Sequence, residues 1–366
     1  MYFWNKFRKR SIIYILVIPF IAQMCIFVAI MGFISLHYSK KAVSMSLDKL
    51  SDEIDIHIKE RITEYVRIPH LVNNINAESL LSGELDLWEE KDRERFFAKK
   101  MVIFPEIAYS FLGTTDGKFY GARRLANGEI QVVRRDEQTN GDSYNYSIDN
   151  DFTAKELKQV VPNFDPRLRP WYKVAENSKK PVWTEIYKHF VMPSLAITAS
   201  TPIFDKEGNL LGVFGSDLLF TRINEFMQSL KIGENGIAFI SEKSGNLITS
   251  AKEDNLWEDT EKGIKRIHGK NSKNLIIKSI FEKIEQKKVE FKKYNGSLKF
   301  KIDINNDKYF VKISPLVEKH GLDWIVYVVI PKEDFIKDIQ VIFHTTIYFF
   351  IRSEERRVGK ECRSRW

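Results

Sequence analysis

Hydrophobic positions change period twice along the chain. Ser11 to Leu36 is uncharged and mostly apolar, long enough to cross a bilayer, which takes about 20 residues. From about Ala42 to Ile68 the apolar positions Val43, Leu47, Leu50, Ile54, Ile58, Ile62 and Tyr65 recur at three- and four-residue steps with charges between them. That pattern predicts one long amphipathic helix, which Pro69 should end or kink. A second helix is predicted from about Leu87 to Met101, closed by Pro105. Beyond it the period becomes that of strands: Glu106–Gly113, Lys118–Arg124 and Glu129–Arg135, joined by Asp-Gly and Asn-Gly turns, which tolerate positive φ.

Glu137 to Asp151 is polar and reads as a loop, and Ala154 to Val161 as a short helix. Three more strands follow at Pro181–Tyr187, Leu195–Phe204 and Leu210–Leu219, then a connecting helix over Thr221–Leu230 and a hinge at Lys231–Asn235. Asn271–Gln286 is an amphipathic helix, and Val289–Asn305, Lys308–Leu316 and Trp324–Ile330 complete a second sheet. Ile107-Ala-Tyr109 is echoed by Ile237-Ala-Phe239, each opening a strand toward a glycine turn, so one architecture is repeated. The fold class is α+β with two antiparallel-sheet modules beside a long helix.

Composition narrows the function. With 57 Lys and Arg against 49 Asp and Glu in 366 residues, the charge is modest and does not gather into an aromatic-interleaved patch, so no nucleic acid is expected. Lys6, Arg8, Lys9 and Arg10 precede the apolar run, which places the N-terminus in the cytoplasm and the body outside. No A-x-A cleavage site follows, so the run reads as a retained membrane anchor. The two cysteines, Cys25 and Cys362, cannot form a disulfide framework in the body. Seven histidines show no HExxH and there is no CxxC or GxSxG, so neither metal, cofactor nor catalytic site is expected. Gly263 to Lys270 imitates a phosphate loop but has one residue too many between its glycines and Asn271 where Ser or Thr is needed. Val341 to Ile351 is apolar yet spans half a bilayer, and the Arg-dense Arg352–Trp366 resembles a translated adapter or vector sequence.

The densest chemistry lies in Asp165-Pro-Arg-Leu-Arg-Pro-Trp-Tyr172, with Gly212-Val-Phe-Gly-Ser-Asp217 downstream. Pro166 and Pro170 stiffen the first segment. An Arg fork suits a carboxylate, an indole adds a donor and a wall, and Asp217 could face a cation. The same residues could equally be an Arg–Asp tether under a loop. The order DPRLRPWY, then Trp183-Thr-Glu-Ile-Tyr187, then GVFGSD, closing on Gly321–Phe335 (GLDWIVYVVIPKEDF), resembles the double Cache (dCache) domains, extracytoplasmic sensors of bacterial receptors, over roughly Ser39 to Phe335.

That resemblance implies PAS-like modules and a division of the chain: 1–10 cytoplasmic, 11–36 first membrane helix, 37–104 helical spine and stalk, 105–230 membrane-distal ligand-binding module, 231–335 membrane-proximal module, 336–351 start of a second membrane helix, and 352–366 a non-native tail. It implies a homodimer through the long helix and a small carboxylate-bearing ligand, with Arg169 and Trp171 on the carboxylate, Tyr172 and Tyr187 as pocket walls, and Asp217 on an ammonium. Two positions depart from the amino-acid-binding pattern: Phe164 stands where Tyr is usual, and His189 where Asp is usual. The amine half of the site is thereby weakened, and His189 could pair with a second carboxylate when protonated, below a pH of about 6.5, or be a surface residue. A chemotaxis-type receptor, a receptor with a diguanylate cyclase or histidine kinase output, and a ligand-free structural module remain the alternatives.

Overall fold

The computed structural model describes residues 12–189, 194–249, 256–261, 263–287 and 296–334; the expected start of a second membrane helix and the Arg-dense tail lie outside them. The chain divides into a compact unit Glu53–Pro331 and a unit formed by Met1–Asp52 and Lys332–Trp366. In the latter, Ile18–Ser35 is long and apolar enough to cross a membrane and is unburied.

Helix α1 runs from Ile12 to Leu81, through Pro69. The proline forgoes one hydrogen bond, to the Tyr65 carbonyl. The helix nevertheless continues, because the turns beyond it are held by side chains. His70, Val72, Asn73 and Asn76 are all buried. Asn73 Nδ2 donates to the Ala199 carbonyl (2.7 Å) and its Oδ1 accepts from Ser216 Oγ (2.7 Å), while Asn76 Nδ2 donates to Ser110 Oγ (3.1 Å).

After α2 (Glu90–Ile103) comes a nine-stranded antiparallel sheet built from β1 (Tyr109–Thr114), β2 (Phe119–Arg124), β3 (Ile130–Arg135), β4 (Ser143–Ile148), β5 (Ala154–Val161), β6 (Val182–Trp183), β7 (Tyr187–Lys188), β8 (Leu195–Phe204) and β9 (Leu210–Leu219), with α3 (Pro170–Ser178) inserted. The order is β5-β4-β3-β2-β1-β9-β8-β6, with β7 also on β8. One face buries Val72, Phe97, Met101, Leu112 and Phe214 against α1 and α2. The other buries Phe111, Phe119, Trp171, Tyr172 and Val213.

Three expectations need correction here. The predicted helix at Ala154–Val161 is the edge strand β5, and the predicted loop contains β4. Ala, Lys, Glu, Leu and Gln favour helix, but pairing with β4 (Ser143↔Val161, Tyr144↔Val160) overrides that preference. The charged residues of β5 stay in solvent, as befits an edge. The predicted strand Pro181–Tyr187 is broken into the short β6 and β7.

Helix α4 (Phe220–Ser229) leads to β10 (Ile237–Glu242), the hairpin β11 (Trp257–Thr260) and β12 (Gly263–Arg266), α5 (Leu275–Gln286), and strands β13 (Leu298–Ile304), β14 (Asp307–Val317) and β15 (Asp323–Pro331). The hairpin occupies the stretch that imitates a phosphate loop. The second sheet has the order β10-β15-β14-β13, and its interior is filled: the Phe239 and Tyr327 rings stack at 4.3 Å with Phe281 beside them. Asp55 of α1 reaches this sheet through Lys312 Nζ (2.9 Å) and Ser314 Oγ.

The two sheet modules meet at His70. Its ring stacks on His320 (3.8 Å) and meets Trp183 edge-on (4.7 Å). Trp183 Nε1 donates to Glu318 Oε2 (3.2 Å), and Glu318 Oε1 holds His320 Nδ1 (2.6 Å).

Two predictions follow from this packing. A Cβ on Gly215 would lie 2.2 Å from the Phe111 ring, so Gly215→Ala should destabilise the fold by about 1–3 kcal/mol, read by thermal denaturation; an unchanged midpoint would show that the ring moves freely. Burial beside His320 and Lys319 pulls the His70 imidazole from its ordinary 6.5 down to about 3. The unfolded chain therefore takes up this proton first, and stability falls as pH drops below about 6.5. Between pH about 6.5 and about 5 the thermal midpoint should decline, and His70→Phe should flatten that decline; an equal slope in the variant would rule His70 out as its source.

Candidate functional site

The register of the first sheet assembles one row of side chains on one face. Arg123 (β2) faces Tyr109 (β1), Tyr109 faces Asp217 (β9), and Asp217 faces Thr198 (β8). Alternation along each strand sends these residues to the side opposite α1. There Arg123, Tyr109 and Asp217 border a cavity of about 390 Å³, walled also by Phe111, Phe119, Phe164 and Trp171, with Arg169, Tyr187, Lys188, His189, Ser143 and Asn145 at its surface.

The Asp165–Tyr172 segment forms the opposite wall. Asp165 caps a short 3-10 turn over Pro166–Leu168 by accepting from the Arg167 backbone N–H. Its carboxylate also accepts from Arg167 Nε (3.0 Å) and Nη2 (2.8 Å), which holds that carboxyl below the usual range. The tether reading is therefore realised, in one of the two arginines. Arg167 is the tether. Arg169, at the N-cap of α3, borders the cavity, its guanidinium 4.6 Å from the Phe164 ring centroid. Phe164, lacking the hydroxyl usual there, supports the cation with its ring face. Trp171 packs on Phe111 (4.7 Å). Tyr172 does not border the cavity: it is buried in the core with Ala175 and Val213, and desolvation pushes its phenol up to about 12.

Asp217 is 4% exposed and fully engaged. Its Oδ1 accepts from Thr198 Oγ1 (2.7 Å) and Tyr187 Oη (3.3 Å), and its Oδ2 lies 3.3 Å from His189 Nε2. His189 is 7% exposed, so it is no surface residue. It stands against the carboxylate, held by its own backbone N–H donating to the Ser194 carbonyl (2.8 Å). Burial, with Asp217 as the next cause, raises Tyr187 well above the ordinary phenol, so it stays a neutral donor.

Six of the seven residues singled out from the sequence thus border one cavity. Missed were Arg123, Tyr109, Phe111, Phe119, Ser143, Asn145, Val161 and Lys188. Ser143, Asn145 and Val161 lie on β4 and β5, which the sequence hid, and Lys188 on β7, just past the predicted strand; the others sit on recognised strands whose register no local pattern discloses. A second concavity of about 420 Å³ lies between α1 and α4, lined by Arg61, Tyr65, Glu106, Arg222 and Glu225 among others. Its lining mixes apolar and charged side chains, and none of the charged ones is buried. Among the described residues no cluster of three His, Cys, Asp or Glu could hold a metal.

Comparison with known proteins agrees with this architecture. The methyl-accepting chemotaxis protein McpC of Bacillus subtilis is 29% identical over 160 residues, 41% of this chain and 24% of McpC. McpA of Pseudomonas putida, also a methyl-accepting chemotaxis protein, is 32% identical over 118 residues, 32% of this chain and 18% of McpA. The chain therefore spans about a quarter or less of these relatives' lengths. The solved structure of methyl-accepting chemotaxis protein X superposes with a TM-score of 0.50 at 12% identity, covering 77% of this chain and 96% of that one. The dCache_1 model, described as Cache domain, matches residues 37–339, and by that match, with the two-module fold beneath it, the chain belongs to the Cache domain family.

Proposed function

We propose that this chain is the sensing part of a bacterial transmembrane signalling receptor, and that the cavity beneath Arg169 takes a small carboxylate-bearing metabolite or amino-acid-like compound. The observation that carries this reading is a guanidinium and a buried carboxylate bordering one mostly aromatic cavity, the usual make-up of a small-molecule site. Arg169 takes the ligand carboxylate and Trp171 walls it. Tyr187 and Asp217 face any amine. His189 Nε2 already stands 3.3 Å from the Asp217 carboxylate, so an amine is not required. A ligand-free structural role is disfavoured, since the space in the first module is open while that in the second is filled by Phe239, Tyr327 and Phe281.

In this reading Ile18–Ser35 is the membrane anchor, residues from about 37 to 337 lie outside the cytoplasm, and a second copy docks along α1, where Ile56 and Leu71 are exposed. The response belongs to a segment beyond this chain, of the chemotaxis, histidine kinase or diguanylate cyclase kind. The ligand shifts a receptor equilibrium by its differential affinity for two states.

The test is calorimetric titration of the full chain in nanodiscs against amino acids and organic acids. Arg169→Ala should cost any bound carboxylate about 2–5 kcal/mol, partly through the stranded partner. Asp217→Asn should weaken only ligands that carry an amine. Binding unchanged in Arg169→Ala would overturn the reading.

A further inference from the structure

The cavity contains a second guanidinium, and this one is buried. Arg123, on β2, is 5% exposed and borders the cavity. Its Nε and Nη2 donate to Gln131 Oε1 (3.1 and 2.8 Å), and Nη2 also donates to Gln159 Oε1 (2.8 Å). Both acceptors are neutral amides, and Nη1 has no partner among the described residues. Desolvation lowers the affinity of this guanidinium for its proton, opposed only by the Tyr109 phenol. A buried charge left without a counter-ion is costly.

Among the described residues no carboxylate answers it. Asp217 is two strands away in the same row, about 10 Å at ordinary strand spacing. Tyr109 stands between them, and Asp217 is already engaged by Thr198, Tyr187 and His189. Lys188 is paired to Asp259 (2.6 Å). Arg123 and Arg169 thus border one cavity, and the guanidinium of Arg123 is held there by neutral amides. A ligand with a single carboxylate on Arg169 leaves the Arg123 charge unanswered, whereas a ligand with two carboxylates answers it.

We infer that the site is built for a small dicarboxylate, amino or not, with one carboxylate on Arg169 and the other on Arg123. Arg123 is then the residue that selects the ligand's far end. Gln131 and Gln159 hold its fork by the Nε and Nη2 edge and leave Nη1 for the ligand, a geometry that Lys, with a single point of charge, does not reproduce. The inference rests on the reading that the cavity is the ligand site and that Arg169 takes one carboxylate.

The experiment compares acids with their monoamides on the full chain in nanodiscs, by calorimetry and thermal shift: L-glutamate with L-glutamine, L-aspartate with L-asparagine, and succinate and glutarate as the amine-free arm. At least one dicarboxylate should bind about tenfold or more tighter than its amide or than any monocarboxylate tested, since a charge-assisted contact is lost in the amide. Arg123→Gln should erase that preference, bringing the acid and its amide to within about threefold of each other. Arg123→Lys should restore only part of it. Amides binding as well as acids in the unaltered chain, with that binding lost in Arg169→Ala, would overturn the dicarboxylate proposal and leave the ligand site standing. Dicarboxylate binding that ignores Arg169→Ala would overturn the underlying site instead. The comparison within the unaltered chain decides the matter even where Arg123→Gln fails to fold.

Discussion

Everything in the first module depends on the alternation of two neighbouring rows across strands β2, β1, β9 and β8. One row, Arg123–Tyr109–Asp217–Thr198, is polar or bulky and faces the cavity. The next, Ala122–Ser110–Ser216–Ala199, is small, fully buried and faces α1. Small side chains let the helix come close enough for Asn73 and Asn76 to bond into the sheet. Because side chains alternate with a period of two, the carboxylate and the helix anchor must occupy opposite faces at adjacent residues. Ser216 touches the helix and Asp217 touches the cavity. A one-residue slip would exchange them and abolish both functions together.

This construction places a polar site in an interior without leaving its anion bare. Asp217 accepts from Thr198 and Tyr187 and faces His189 Nε2 across 3.3 Å. Burial of such a group is tolerable only when hydrogen bonds replace water. The cationic side is arranged differently. Arg169 lies on an aromatic ring and Arg123 on two amides. The segment that carries Tyr187 and His189 also carries Trp183, which bonds Glu318 in the second module. A change at the cavity therefore has a short covalent route, six residues long from Trp183 to His189, to the second sheet.

Much of this was legible from the chain alone because its signals are local. The long apolar repeat gives α1, the Asp-Gly and Asn-Gly turns give β1 to β3, and the DPRLRPWY and GVFGSD segments place Arg169, Trp171 and Asp217. What stayed hidden was set by tertiary pairing. Ala-Lys-Glu-Leu-Lys-Gln carries helix propensity, yet a free edge beside β4 makes it strand. Pro69 reads as a helix end, yet the buried asparagines beyond it hold the helix together. Arg123 reads as one more surface arginine in a strand of mixed polarity, and only its register opposite Tyr109 turns it inward. Tyr172 was drawn toward the ligand by its place in a motif, while the helical turn of α3 sends it into the core.

The central claim is that ligand binds on the Arg123–Asp217 face of the sheet, under the Arg169 segment. Hydrogen exchange of the full chain in nanodiscs, with and without saturating L-glutamate, tests it most directly, with L-glutamine run alongside so that either ligand class reports the location. The account predicts slower exchange in residues 163–172, in β7 and in β9, with the Arg61–Glu106–Arg222 groove unchanged. Measurable binding with protection confined to that groove, and none around Arg169 or Asp217, would contradict it.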